Sequence, residues 1–519
     1  MSHRRVAIRR LLSTVSRFLS PAFSFYLLPF TFCLFLSACH AATRPVVAPV
    51  SAPSAAVAHL QRDIEALLAA PSLEHTSWGV LVKSLARDET LYAMNARKLM
   101  LPSSNMKIVT LAVAAERLGW NYTYETRVIA AGAIDSGVLH GDLLVVGSGD
   151  PSIMDRDASG TRLFETWADR LKAIGVRSID GRIVGDDNTF EDNPLGFGWA
   201  WDELPDGYAA GVSALQFNEN AVQVTIAPGM SLGDPAIVTI APDGSGLVIA
   251  NFLNTAAPAT ATSIERRRLP GSTRLEFRGS VPLGSAPTVH TLSVDDPTLF
   301  FVTALRSALV ARGIEVRGPA VDIGDVADAP SRVAGSVLIA YRSPPLSTLA
   351  VRLMKISQNL YAETLLRTLG ARVETQTAES GRATVRSVLQ GWGLEPAGLI
   401  QADGSGLSRY NFVTPETLVT ILLHIDRDNR LREPFEASLP IAGRDGTLAG
   451  RMQRTAAEGN ARAKTGTMTR VRALSGYVQT ADNEPVVFSI IANNFDATAD
   501  VITHTEDAIV ARLAQFSRR

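Results

Sequence analysis

Leu101-Pro102-Ser103-Ser104-Asn105-Met106-Lys107 is the stretch on which the reading of this chain turns. It opens a segment, Ser104 to Leu118, in which Ile108, Val109, Leu111, Ala112 and Ala115 build one apolar helical face, with Gly119 as a natural stop. Positions i and i+3 of a helix share a face, so the Ser104 hydroxyl and the Lys107 amine are expected side by side at its amino end. Free N–H groups and the helix dipole there favour negative charge developing on a serine oxygen. The same dipole disfavours a protonated lysine, and burial lowers its pKa further, which is what a lysine base requires. Arginine stays charged and could not replace it. The only lysines in the chain are Lys83, Lys98, Lys107, Lys172, Lys355 and Lys464, so each stands where arginine was not used. Taken alone, the segment also describes an N-capping serine followed by a solvent-facing lysine.

Two later segments supply complementary groups. Ser357-Gln358-Asn359 sets a hydroxyl and an amide two residues apart just before a predicted helix, Asn359 to Leu369. Such a pair can pass a proton toward a leaving group and fix a carbonyl. Lys464-Thr465-Gly466-Thr467 precedes Met468 and a polar turn into a strand, Val471 to Val478. An edge strand of this kind pairs with an extended peptide; its lysine supplies positive charge, its threonines bind a carboxylate, and glycine admits a close backbone. Taken alone the first says little, since Ser103-Ser104-Asn105 matches the same pattern, and the plain alternative for the second is an exposed hairpin strand.

Around these segments the pattern is α/β, interrupted by a strand-rich block. His59 to Ala70 has helical spacing, and Trp78 to Val82 and Thr90 to Tyr92 read as short strands. From residue 123 to 333, β-branched runs such as 127–130, 142–146, 221–226 and 236–240 alternate with Gly, Asp, Asn and Pro. Helices return with 359–369 and 383–390, then strands 472–479 and 485–493, and a last helix near 498–516. The expected architecture is one α/β domain in two parts, 59–122 and 334–519, split by a mainly β insertion of one or two domains at 123–333.

At 519 residues and 46% hydrophobic content the chain has material for about three domains. A formal charge of −1 gives no field for nucleic acid. Arg4, Arg5, Arg9, Arg10 and Arg17 precede an uncharged run from Phe18 to Ala38, the plan of a signal peptide over residues 1–39. An uncleaved membrane anchor is the alternative, weakened by Pro21 and Pro29. Both cysteines, Cys33 and Cys39, lie in this segment. Leu36-Ser37-Ala38-Cys39 resembles a bacterial lipobox, which implies lipidation of Cys39 and a membrane anchor; a plain cut near Ala41 suits the same small residues. Residues 40–58, rich in Ala, Pro and Val, read as a tether. The expected location is therefore the cell envelope or periplasm, after export.

Ser-x-x-Lys, Ser-x-Asn and Lys-Thr-Gly in that chain order resemble the active site of penicillin-binding proteins and serine β-lactamases. Further segments are similar to one branch, the D-alanyl-D-alanine carboxypeptidase/endopeptidase family of low-molecular-mass penicillin-binding proteins. They are Gly141-Asp142-Leu143, Gly147-Ser148-Gly149-Asp150-Pro151, Ser213-Ala214-Leu215, Asn218-Glu219-Asn220 and Asp403-Gly404-Ser405-Gly406-Leu407-Ser408-Arg409. The gap of about 250 residues between the first and second motifs also resembles this branch. Class A β-lactamases keep those motifs closer and carry a Glu-x-x-Leu-Asn motif that the chain lacks.

The resemblance implies a β-lactamase/transpeptidase-like fold and a serine peptidase that acts on peptidoglycan peptides through an acyl-enzyme and is inhibited by β-lactams. It implies Ser104 as nucleophile, Lys107 as base, Ser357 as proton relay and Asn359 as the residue orienting Lys107 and the substrate amide. Lys464, Thr465, Gly466 and Thr467 would bind the terminal carboxylate strand, with the N–H groups of Ser104 and Thr467 holding the oxyanion. Arg409 and Met468 are implied as substrate contacts, and Trp199 and Asp202 as partners of a diaminopimelate amine. Trp201 and Glu203 are like-named neighbours of that last pair. No metal or organic cofactor is implied. A β-lactamase or esterase on the same scaffold, and a non-catalytic wall-binding lipoprotein, are the competing readings.

Overall fold

Trp78-Gly79-Val80-Leu81-Val82 is apolar on both sides of its pleat, as a strand covered on both faces must be. In the computed structural model, which gives the structure of residues 53–154, 159–370 and 377–519, it is the middle of strand β1 (Ser77–Ser84). Val80 and Val82 face helix α1 (Ala55–Leu68), while Leu81 joins the opposite core. β1 pairs with β2 (Thr90–Met94) on one side. After helix α2 (Met106–Leu118), the chain enters β3 (Glu125–Asp135) and β4 (Val138–Val146), and it leaves the insertion through β5 (Ser336–Arg342). Helices α3 (Leu346–Lys355), α4 (Asn359–Thr368) and α5 (Pro415–Arg427) follow, then β6 (Arg462–Met468), β7 (Val471–Gln479), β8 (Pro485–Asn493) and α6 (Ala499–Ala514).

The main sheet runs β6-β7-β8-β1-β2, antiparallel throughout. One face packs on α1 and α6 through Val57, Leu60, Ile64, Ile502 and Ile509. Its other face, with Leu81, Ala473, Val487 and Ile491, packs on α2, α3, α4 and α5. The nucleophile helix is therefore sandwiched: every residue from Met106 to Ala115 is buried. This is the mixed α/β, transpeptidase-like architecture anticipated, with additional β-sheet modules inserted.

The insertion has its own core, in which Phe164, Trp167, Phe217, Phe300 and Phe301 cluster. β4 and β5 flank β3 antiparallel, short parallel strands extend that sheet, and two three-stranded sheets complete the β portion. Helices Ser159–Ala173 and Pro297–Ala311 also belong here, beside the β-sheets that make up most of the insertion.

Two expected boundaries move. β5 pairs with β3, so the second part of the host begins after Arg342 rather than at residue 334. Ser54 caps α1, which begins at Ala55, so residues 55–58 are helical rather than tether. The proposed signal segment, Cys33, Cys39 and the tether up to residue 52 lie outside the described residues. Among the described residues, no helix is long and apolar enough to cross a membrane.

Candidate active site

The chain reaches Ser104 through a strained turn. Ser103 sits at φ +47°, a left-handed conformation that costs a β-carbon-bearing residue, and Ser103 to Asn105 form one 3₁₀ turn before α2. Asn105 Nδ2 donates to Ser475 Oγ on β7 at 2.9 Å, which ties the turn to the sheet. Asn105, not Ser104, occupies the cap position, so the N-capping alternative for Ser104 does not describe this helix.

Lys107 lies one turn on and is fully buried rather than solvent-facing. Its Nζ donates to Ser104 Oγ at 2.9 Å, to Asn359 Oδ1 at 2.5 Å and to the Ser405 carbonyl at 2.8 Å. Burial pushes the amine down to about 7, against a partial upward pull from the carboxylates of Asp403 and Glu363. A lysine that loses its proton near neutrality beside a serine hydroxyl is a competent general base.

Two groups stand behind Lys107: Glu363, which escaped sequence reading, and Asp403, which the sequence marked only as part of a segment without a role. Glu363 stands one turn after Asn359 on α4, and its Oε1 accepts from the N–H groups of Gly404 at 3.0 Å and Ser405 at 2.7 Å. That fixes the carbonyl facing Lys107, and burial holds the Glu363 carboxyl above the ordinary carboxylate range. Asp403 closes the loop by accepting from the N–H groups of Gly406 and Ser408 at 2.8 and 2.6 Å. An acid four residues after Asn359 in an apolar helix was the available signal for Glu363.

Asn359 begins α4, and its Nδ2 donates to the Tyr208 carbonyl of the insertion at 2.8 Å. Ser357, at φ +62°, accepts from Lys464 Nζ at 2.9 Å. Lys464 also donates to the Thr465 carbonyl at 2.8 Å, and burial, with repulsion from Lys107, holds its amine well below the ordinary lysine value. All three motifs thus meet at one place.

They meet along a cleft of about 500 Å³ lined by Ser104, Ser357, Asn359, Thr465, Thr467 and Met468, with Glu203 and Tyr208 from the insertion. β6 is the edge of the main sheet on this side. Gly466 leaves room for the turn: a β-carbon there would come within 2.6 Å of the Pro102 carbonyl. Thr465 Oγ1 donates to Thr447 Oγ1 at 2.7 Å, and Thr447 lines the cleft although nothing in the sequence marked it.

The insertion residues differ from expectation. Trp199 does not line the cleft but donates its indole N–H to Asp403 at 3.0 Å, bracing the Asp403 loop. Asp202 is exposed and outside the lining, and Glu203 faces the cleft instead. Burial raises the Glu203 carboxyl, Arg409 draws it back, and Asp202 and Asp206 raise it further. Arg409 reaches the Thr469 carbonyl at 3.2 Å and stands at the rim rather than in the lining.

Residues 60–516 match the D-Ala-D-Ala carboxypeptidase 3 (S13) family. The chain belongs to this family. Within it, the S13 chain is 34% identical to a D-alanyl-D-alanine carboxypeptidase of Actinomadura sp. (strain R39), over 90% of this chain and 86% of that one. The crystal structure of penicillin binding protein 4 from Haemophilus influenzae superposes with a TM-score of 0.78 at 25% identity, covering 88% of this chain and all of that one. A second structure of that protein, complexed with a β-lactam, superposes with a TM-score of 0.71 at 24% identity over the same shares. This S13 chain is a serine-type peptidase of the D-Ala-D-Ala carboxypeptidase class, as the three motifs implied.

Proposed function

We propose that Ser104 attacks the carbonyl between the last two D-alanines of a peptidoglycan peptide, with Lys107 as the base that takes its proton. One observation carries this reading: a fully buried amine, titrating near 7, stands 2.9 Å from the serine oxygen. The serine oxygen bonds to the carbonyl carbon, the peptide C–N bond breaks, and Ser357 relays the proton taken up by Lys107 to the departing D-alanine amine. Lys464 Nζ, bonded to Ser357 Oγ, keeps that hydroxyl oriented. The N–H groups of Ser104 and Thr467 are the proposed oxyanion donors, each worth about 3 kcal/mol. Water then releases the acyl group. Asn359 holds Lys107 through its Oδ1, while Thr465, Gly466 and Thr467 on the edge strand receive the substrate's terminal segment.

A substrate side-chain ammonium is assigned to Glu203, which faces the cleft, with Met468 beside it and Arg409 at the rim. Trp199 and Asp202 act at one remove, through the Asp403 loop and the local negative field. β-Lactams are proposed to acylate Ser104 in place of substrate. The proposed site of action is the cell envelope after export, supported by the basic flank and apolar run before Cys39, and Cys39 is the proposed lipid-bearing residue.

The test is digestion of purified peptidoglycan by the wild type and Ser104→Ala, with products read by mass. Release of terminal D-alanine by the wild type alone supports the proposal, and equal release by both proteins overturns it. For the anchor, membrane partition lost in Cys39→Ser supports lipidation; unchanged partition refutes it.

A further inference from the structure

Residues 203–209 of the insertion form a wall with a cavity on each side. Glu203 and Tyr208 line the catalytic cleft, whereas Leu204 and Ala209 line a second pocket of about 320 Å³, together with Arg268, Leu269, Val294 and Asp295. None of these last six residues lines the cleft. The wall is pinned within the insertion. Asp206 bridges to Leu292 and pairs with Arg266 at 2.5 Å, and the Ser293 N–H donates to the Pro205 carbonyl at 2.9 Å.

Arg268 sets this pocket apart. It is only 6% exposed, yet among the described residues it makes no ion pair. Its Nη1 donates to the Ser293 carbonyl at 2.6 Å, and its Nη2 to the Leu204 carbonyl at 3.1 Å and to Ser293 Oγ at 2.6 Å. Those bonds use three of a guanidinium's five N–H groups and bring no counter-charge. A cation taken out of water without a counter-charge is costly to hold. Burial disfavours the charged form of Arg268, and Asp295 offsets that only in part. Asp295 is half-buried and, among the described residues, makes no ion pair either. Around the two charges the lining is apolar: Leu204 and Val294 are buried, and Leu269, about half exposed, stands where the pocket meets solvent.

One cation, one anion and apolar walls complement a small zwitterion. Its carboxylate would take the N–H groups that Arg268 has left, its ammonium would face Asp295, and its side chain would rest on Leu204 and Val294. We propose that this pocket is a second binding site, for a free amino acid or dipeptide with small apolar side chains, and that its occupant braces the 203–209 wall. The assignment stands apart from the chemistry at Ser104. Bracing nevertheless reaches the catalytic machinery, because the Tyr208 carbonyl in that wall accepts from Asn359 Nδ2 at 2.8 Å.

The full chain is titrated with alanine and alanylalanine of each hand, and with two probes that each lack one charge, alaninamide and propionate. Saturation-transfer NMR reads binding, and hydrogen exchange reads its place. The zwitterions are expected to bind more tightly than either single-charge probe and to slow exchange over 203–209. Arg268→Met should weaken them roughly 10-fold or more. That variant also strips the Leu204 and Ser293 carbonyls of their donor, so Asp295→Asn serves as the second. It should abolish the preference for alanine over propionate, a ratio internal to each protein, so that a loss of folded molecules cancels. Binding of the D-forms alone identifies the occupant as a D-alanyl product, and binding of both hands identifies it as small amino acids in general; either supports the site. Absence of zwitterion binding, equal binding of alanine and alaninamide, or affinities that neither variant changes overturns the proposal. So does protection that appears in cleft segments and not over 203–209.

Discussion

The side-chain amide of Asn359 donates to the backbone carbonyl of Tyr208 at 2.8 Å, so the residue whose Oδ1 accepts from Lys107 is held from its other end by the insertion. The inserted segment thereby sets the orientation of the amide that positions the base. Asn359→Asp keeps the shape but places a carboxylate against the amine, which favours its charged form. The acidic limb of acylation is expected to move to higher pH, and the rate at neutral pH to fall on the order of 100-fold. Stopped-flow labelling with a fluorescent penicillin across the pH range checks both.

Wild-type acylation should itself rise with pH through about 7 and level off above it, since only the unprotonated Lys107 accepts the serine proton. The stability effect has a definite sign. In the folded chain Lys107 gives up its proton near 7, against 10.5 ordinarily, so between those values the unfolded state binds more protons and stability falls as pH falls. Lys107→Met removes this group's dependence. Its unfolding free energy, measured by urea titration, should therefore gain on that of the wild type as pH drops through that window and hold a constant margin below about 7.

Glu363→Gln tests the support behind the base. A glutamine Oε1 can still accept from the Gly404 and Ser405 N–H groups, so the Ser405 carbonyl should stay in place while one negative charge near Lys107 disappears. The expected result is an acidic limb moved to lower pH with a rate plateau close to wild type. Glu363→Ala, which leaves two buried N–H groups without their acceptor, should instead cost about 2–5 kcal/mol of stability. Thermal unfolding separates the two variants.

Gly406→Ala should be inactive. Gly406 adopts φ +87°, and a β-carbon there would lie 1.8 Å from the Ser103 carbonyl oxygen and 3.1 Å from the Ser104 nitrogen. Backbone must move, and the backbone in the way carries the nucleophile. Penicillin labelling is expected to vanish while far-ultraviolet circular dichroism still reports a folded protein; retained labelling would refute the clash.

The elements legible in sequence were those with a strong period. β8 falls at 485–493 as read, and α2 differs only in having its first turn wound as 3₁₀, because Ile108, Val109, Leu111 and Ala112 could face nothing but a core. The three motifs were legible through their conjunction in chain order and the resemblance it carries; singly, each was a weak signal. Trp199 and Asp202 were not, since the stretch from Asp187 to Asn220 is largely irregular and gives no rule for which side chain turns inward. Glu203, Thr447 and Arg472 face the cleft through tertiary placement and strand register, which no local pattern in the sequence encodes.

Sheet order has one more consequence. β1, made early, completes itself only against β8, made near the end, and the buried partners Ser84 and Glu484 stand 400 positions apart. A ribosome that has delivered Ser104 and Lys107 has therefore delivered no enzyme. Within the sheet the strand bearing Lys464 is connected to β1 through β7 and β8, so a chain that stops before β8 lacks the strand that ties the two halves of the sheet together.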